Sequence, residues 1–302
     1  MTSSDADPHE PAAGGGSGPA IRLVVNADDF GLCESVNDGI VLAHRSGIVT
    51  AASLMAVGRA FDQAVDWCRR IPSLDVGVHL TLVAEPPLLS KASSLTGDDG
   101  RLPPGAGAFA RGYLEGRIRP ADIRAELRAQ IERVLDHGLR VTHLDSHQHV
   151  HALPGVAELV LGLSVRYGIP FVRAPVEPWR IDWPPNFHAL SRLARAAALR
   201  TCWTLARLAQ PDRARFRPLR FLGFTEGGRL DGARLQRLLQ TLQPGRAYEL
   251  MCHPGFTPAS PEVQRWNYHH ELELQALTNP GIRSAIAERG IRLCCFRDLA
   301  ES

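Results

Sequence analysis

Aspartate and histidine stand at four separated places in this 302-residue chain, each time at or just after a short apolar run. The first is Asp28-Asp29, which closes IRLVVNADD, and the second is His79, in VGVHLTL. The third is THLDSHQHVH, which carries His143, Asp145, His147, His149 and His151, and the fourth is His253, in LMCHPG. Imidazole and carboxylate side chains together are ligands for zinc, iron, manganese and related ions. One Asp and two His supply the three protein ligands of a catalytic zinc site and leave a position for water. The neighbouring Asp28 then stays unligated as a base, and His253 suits a general acid because imidazole ordinarily titrates near neutral pH.

Each group also has a purely structural use. An Asp pair at a strand end serves as a turn or helix start, His79 as a hydrogen-bonded core histidine, and the HPG at 253–255 as a rigid turn. Successive side chains on an extended backbone point to opposite faces, so Asp28 and Asp29 need a turn after the strand to reach one site. Five of the twelve histidines fall within 137–151. If 145–151 is extended, His147, His149 and His151 share a face; if it is helical, His147 and His151 pair at i,i+4. Periodicity does not choose between these.

The elements that must position these groups read as an alternation. Strands are expected at 21–29, 48–55, 75–82, 139–145, 169–174, 219–225, 247–252 and 291–296. Helices are expected at 36–45, where Ser35 and Asp38 suggest a capping box, and at 58–71, 120–137, 153–167, 188–208, 231–242 and 270–288. Strands alternating with helices call for a mostly parallel sheet. Long segments at 84–118 and 175–187 favour a barrel-like arrangement with a rim. In such a barrel the C-terminal ends of the strands share one face, so groups far apart in sequence meet there. A chain of this length buries roughly 75% of its unfolded surface, enough for one large core. Residues 1–20, made of Gly, Pro, Ser and acidic residues, read as a flexible tail, and 21–302 as a single α/β domain.

Composition narrows the function further. A formal charge of +2 excludes a global nucleic-acid footprint. The N-terminus has neither the basic nor the apolar region of a secretory signal, and no stretch reaches the length of a spanning helix. The six cysteines form no CxxC pair, so reduced thiols and a cytoplasmic protein are expected. Residues 191–220 hold eight arginines and one acid, Asp212. That segment reads either as a solvated helix face or as a contact for an anionic membrane surface. Trp179, Trp183 and Phe187 read either as ordinary packing of a rim loop or as surfaces on which a ring-shaped ligand stacks. No dinucleotide fingerprint, phosphate-binding loop, GxSxG elbow or HExxH helix is present.

VNADDFG at 25–31, GIVTAASLM at 47–55, GVHLTL at 77–82, THLDSHQHVH at 142–151 and HPG at 253–255 together resemble the YdjC-like deacetylases. That family includes chitooligosaccharide deacetylases and hopanoid-biosynthesis-associated deacetylases. The resemblance implies a distorted or incomplete TIM-like β/α barrel that removes acetyl groups from N-acetylated sugars. It implies Asp29, His79 and His147 as metal ligands, Asp28 as the base and His253 as the acid, with His149 and His151 outside the ligand set. Asp145 is expected to orient His147 or a neighbour through its second ring nitrogen. The resemblance implies one divalent ion, Mg²⁺, although two imidazole ligands favour Zn²⁺, and it implies a homodimer. Asp145-Ser146 follows the sugar-deacetylase pattern rather than the Asn-Ala-His-Lys-His pattern of the hopanoid branch. The competing readings are a deacetylase of a lipid-linked amino sugar or other small amide, and a non-catalytic metal-bound scaffold.

Overall fold

Alternation of side chains along short strands sorts this sequence into an apolar outer layer and a graded inner one. The computed structural model describes residues 19–89, 93–178, 187–208 and 219–301. Its eight strands are β1 (Ile21–Phe30), β2 (Ala51–Leu54), β3 (Asp75–Leu80), β4 (Val141–Ser146), β5 (Phe171–Val172), β6 (Arg220–Leu222), β7 (Ala247–Cys252) and β8 (Ile291–Leu293). All pair in parallel, in the order β5-β4-β3-β2-β1-β7-β6. β7 runs along residues 22–27 of β1, while β8 pairs with residues 21–23 and β2 with residues 26–30. β8 and β2 therefore take successive stretches of the same edge. Among the described residues the end strands β5 and β6 do not pair with each other. The sheet is thus a curled half-barrel, a distorted TIM-like barrel surrounded by helices.

The helices are α1 (Glu34–Arg45), α2 (Phe61–Arg70), α3 (Ala106–Leu114), α4 (Pro120–Asp136), α5 (Val156–Tyr167), α6 (Phe187–Leu208), α7 (Gly232–Gln240), α8 (Pro261–Gln264), α9 (His270–Leu277), α10 (Pro280–Glu288) and α11 (Phe296–Ala300). Outward strand residues such as Leu23, Val25, Leu54, Val78, Leu144 and Leu250 bury against helix residues such as Ile40, Val65, Leu127, Val160 and Leu235 in one core. The inner face starts with a separate apolar cluster of Val24, Ala51, Phe171, Phe296 and Leu299. α11 closes that end, held where Asp75 accepts the Arg297 backbone N–H at 2.9 Å. Two residues further along β1 and β2 the lining becomes polar, with Asn26 and Ser53 buried, as is His143 on β4. Above these stand Asp28, two residues beyond Asn26, Asp145, two beyond His143, Arg173, two beyond Phe171, and His79, the register partner of Asp145. The period-two pleat thus carries an apolar floor up to a charged mouth.

Several local expectations are corrected. α1 is capped by Cys33 without a side-chain bond, so the Ser35–Asp38 box does not form. The segment 84–118 contains α3, whose first amide N–H donates to Gln148 Oε1 at 2.8 Å. The single helix expected at 270–288 is two, because Pro280 has no N–H to continue the ladder and Asn279 caps the second. The arginine-rich segment is helical up to Leu208, with Trp203 and Ala206 buried. Residues 209–218, Trp179, Trp183, the Phe187 side chain and residues 1–18 of the expected tail lie outside what is described.

α1 lies backbone to backbone on the loop after β7, where a Cβ on Gly39 would collide with the main chain of Gly255. Gly39→Ala is expected to cost about 1–3 kcal/mol by overpacking and to lower the melting temperature. Gly162→Ala, at an exposed site in α5 with open space around it, is expected to raise it, by about 0.5–1 kcal/mol of helix propensity. Thermal denaturation of the two variants checks both signs.

Candidate metal centre

The two neighbouring aspartates both come within reach of His79 through a bulge inside β1, not through a turn after it. Ala27 pairs with Ala52 and Phe30 with Leu54, so three steps on β1 oppose two on β2. The extra residue is the mark of a β-bulge, and Asp29 takes the left-handed conformation, φ 66°. Asn37 on α1 braces the bend, accepting the Gly31 N–H at 2.6 Å and donating to Ala60 O at 3.0 Å.

Asp29 Oδ1 lies 2.9 Å from His147 Nδ1 and 3.2 Å from His79 Nε2. Asp29, His79 and His147 each offer a ligand atom, and these atoms lie within 4.8 Å of one another. All three residues are buried, and Asp29 Oδ2 and His147 Nε2 have no hydrogen-bond partner. His79 Nδ1 pairs with Asp145 Oδ1 at 2.8 Å, which fixes the ring and points Nε2 at Asp29. A carboxylate holding the far nitrogen is the usual support of a metal-bound imidazole. These donors fit a divalent cation. A second close group, Asp28, His79 and Asp145, fits one less well, because Arg173 already bonds both of its carboxylates.

Arg173 is the buried cation of the site. Nη1 and Nη2 donate to the two Asp28 oxygens at 2.6 and 2.7 Å, and Nε donates to Glu249 Oε1 at 2.6 Å. Nη2 also lies 2.7 Å from Asp145 Oδ2. Burial raises the Asp145 carboxyl, but the charges of Arg173 and His79 outweigh it and hold Asp145 below the ordinary range. Burial likewise raises Asp29, and the charges and hydrogen bonds of His147 and His79 bring it well below the ordinary range. Burial disfavours a charged His79, yet Asp145 overcomes that and pushes its pKa up to about 10. Glu249 goes the other way: burial, only partly offset by Arg173, pushes it up to about 7.

The histidine run is neither extended nor α-helical. His147–Ala152 form a 3₁₀ segment kinked at Gln148 and His149, both with φ 54°. Only His147 joins the close group. His151 bonds Ser146 Oγ at 2.6 Å and Arg173 O at 2.9 Å, bracing the arginine from behind. His149 packs against Phe221 and Phe224. His143 lies a layer lower, 3.1 Å from Ser53 Oγ and stacked on Phe296. Asp145 supports His79 rather than His147.

His253 follows β7 at the same end of the half-barrel but stands outside the close group. Its N–H donates to Glu273 Oε2 at 2.6 Å, its carbonyl accepts from His270 Nδ1 at 2.9 Å, and its ring lies 4.6 Å from that of Tyr268. Burial pushes its pKa down to about 4, against the pull of Asp29 and Asp28. The imidazole is therefore neutral at neutral pH, unlike the expected group poised near 6.5. Burial pushes Glu273 up to about 7. Arg173, Glu249, Asn26 and Ser53 escaped the sequence reading. Their signal was present in the single polar residues that interrupt IPFVRA, AYELMC and IRLVVN.

A family model described as YdjC-like protein matches residues 22–288. A carbohydrate deacetylase of Brevibacillus brevis is 33% identical, covering 92% of this chain and 100% of the relative. A chitooligosaccharide deacetylase of Salmonella enteritidis is 34% identical, covering 92% and 98%. The crystal structure of an Enterococcus faecalis protein superposes with a TM-score of 0.72 at 25% identity, covering 93% of this chain and 99% of that one.

Replacing Arg173 strands buried carboxylates without a counter-charge. Arg173→Met is expected to cost about 3–5 kcal/mol, and Arg173→Lys restores little because an ammonium lacks the bidentate fork. Without the guanidinium, burial raises the carboxyl pKa values in the folded state. The folded protein then holds more protons than the unfolded chain, so the variant's deficit grows as pH rises from 5 to 8. Urea denaturation across that range checks both the size and the sign.

Proposed function

The chain belongs to the YdjC-like family, and from that premise we propose that it is a metal-dependent carbohydrate N-deacetylase, with Asp29, His79 and His147 holding the ion, Asp28 as base and His253 as acid. The observation that carries this reading is the meeting of Asp29, His79 and His147 from three strand ends, with unpartnered donor atoms, beside a carboxylate engaged elsewhere. The names of the relatives, carbohydrate and chitooligosaccharide deacetylase, support an N-acetylated sugar as substrate. Asp145 and Ser146, which separate the segment from the hopanoid pattern, support His79 and His151 respectively, and this favours the sugar branch.

A divalent cation at this site supplies a Lewis acid for the acetamide carbonyl and lowers the pKa of water. Arg173 and Asn26, whose Nδ2 donates to Asp28 Oδ1 at 2.9 Å, fix the Asp28 carboxylate so that it receives the proton of the attacking water without reorienting. The amide C–N bond then breaks as His253 protonates the nitrogen, giving acetic acid and a free amine, which at neutral pH pass the remaining proton between them to become acetate and an ammonium ion. The reaction as a whole moves one proton from water to nitrogen. Asp28 and His253 therefore act in succession, and His253, neutral at rest, gains its proton within the cycle. The donor set of two imidazoles and one carboxylate favours Zn²⁺ or a similar borderline ion over Mg²⁺, which prefers oxygen. Among the described residues no helix is long and apolar enough to cross a membrane. No disulfide joins any of the six cysteines.

Acetate release from N-acetylglucosamine oligomers, with and without a chelator, tests the activity. Asp28→Asn is expected to keep one ion per chain by elemental analysis and to lose about 10²- to 10⁴-fold in kcat. Loss of the ion would make Asp28 a ligand, and full activity would remove it as the base.

A further inference from the structure

Two side chains on loops at the mouth of the half-barrel have no task in the chemistry above. Glu85 is 3% exposed, and its Oε2 is buried without a hydrogen-bond partner. Glu85 stands on the segment that leaves β3 after His79, at the same end of the half-barrel as the metal group. Burial raises its carboxyl against the lowering charges of Arg59, His147 and Arg101. It does not belong to either group of close ligand atoms. The other residue is Trp266. Its half-buried indole lies 4.6 Å from the His147 ring and 6.1 Å from the Tyr268 ring.

Both residues are held in place by their surroundings. Thr81 N–H donates to Gln130 Oε1 and Leu88 and Leu89 N–H donate to Glu126, at 2.8–3.0 Å, so α4 pins the loop on both sides of Glu85. Ala84 N–H donates to Pro103 O at 2.8 Å. Trp266 follows α8 and closes that turn with an N–H bond to Val263 O at 3.0 Å. Tyr268 fits beside Gly228, where any Cβ would strike its ring. A buried carboxylate oxygen lacking a donor and an aromatic side chain that retains some exposure, both on loops at the mouth of the half-barrel, together suit a ligand with hydroxyls on its edge and C–H groups on its face. A pyranose ring has both.

We propose that Glu85 and Trp266 form the subsite for the pyranose ring that bears the acetamide, Trp266 as its stacking platform and Glu85 Oε2 as the acceptor of its ring hydroxyls. This rests on the deacetylase reading and adds what that reading leaves open, namely why the site selects a sugar over any small acetamide. Stacking supplies a broad apolar contact, and a buried acceptor left empty penalises a ligand without hydroxyls. Both residues act on substrate binding, while the metal ligands and Asp28 stay intact.

The test compares N,N′-diacetylchitobiose with the acyclic amide N-acetylethanolamine, and measures disaccharide binding by calorimetry alongside turnover. Glu85→Ala is expected to raise KM for the disaccharide about 10- to 100-fold, as for a lost bond to a charged acceptor, with kcat and metal content little changed. Trp266→Leu is expected to raise it about 3- to 10-fold and Trp266→Phe to restore most of that, with a smaller effect on N-acetylethanolamine than on the disaccharide. Disaccharide KM and Kd unchanged in Glu85→Ala and Trp266→Leu would overturn the subsite, and loss of the ion from Glu85→Ala would make Glu85 a ligand instead. If wild type binds the disaccharide, and the variants do not, yet no acetate is released, the subsite stands and the deacetylase reading fails. If wild type binds no sugar, both fall.

Discussion

One guanidinium makes the rest of the site tenable. Asp28, Asp145 and Glu249 are buried together at the mouth of the half-barrel, and Arg173 reaches all three. Carboxylates removed from water repel one another and are stable as anions only with a counter-charge at hand. Arg173 offsets one negative charge, and Glu249, pushed up to about 7, sheds part of another. Asp28, Asp145 and Asp29 are left against a single arginine. In the metal-free protein a proton on His79 reduces the imbalance. A divalent ion beside a neutral His79 offsets the two negative charges that Arg173 leaves uncompensated on Asp28, Asp145 and Asp29. The charge inventory of the barrel mouth is thus that of a cation site.

The backbone is bent where that inventory is assembled. Among the described residues, the left-handed non-glycines are Asp29, Ala84, Gln148, His149 and Asn267. Asp29 belongs to the metal group, Ala84 precedes Glu85, the Gln148–His149 pair follows His147, and Asn267 follows Trp266. Such conformations cost free energy and persist where the surroundings over-determine them. Here the bracing comes from Asn37 under the β1 bulge, α4 under the Glu85 loop and His151 behind Arg173. The helical shell thus does more than bury apolar area, since its polar side chains fix the loops that carry chemistry.

Residue type and spacing carried much of this to the reader of the sequence. Carboxylates and imidazoles recurring after apolar runs marked the candidate groups, but periodicity left His147, His149 and His151 open, and only the resemblance to the YdjC-like deacetylases singled out Asp29, His79 and His147; the order of strands and helices followed from their alternation. Arg173 and Glu249 did not stand out, because a lone charge in an apolar strand discloses neither its direction nor its partners. The joint approach of Asp28 and Asp29 was hidden because a bulge depends on the register of β1 with β2, which no local pattern encodes. The neutral state of His253 follows from burial beneath Tyr268 and a loop held by Glu273, which is a tertiary fact. α3 escaped because AGAFARGYL has little periodicity of its own, and it is Gln148, distant in sequence, that caps it.

The claim beneath all of this is that three strand ends close on one ion while Asp28 stays with Arg173. Anomalous diffraction from crystals grown with Zn²⁺ addresses it directly. The account predicts one peak about 2.0–2.2 Å from donor atoms of Asp29, His79 and His147, with the Arg173–Asp28 pair unbroken. A peak between Asp28 and Asp145 with Arg173 displaced, or none at the mouth of the half-barrel, would contradict it.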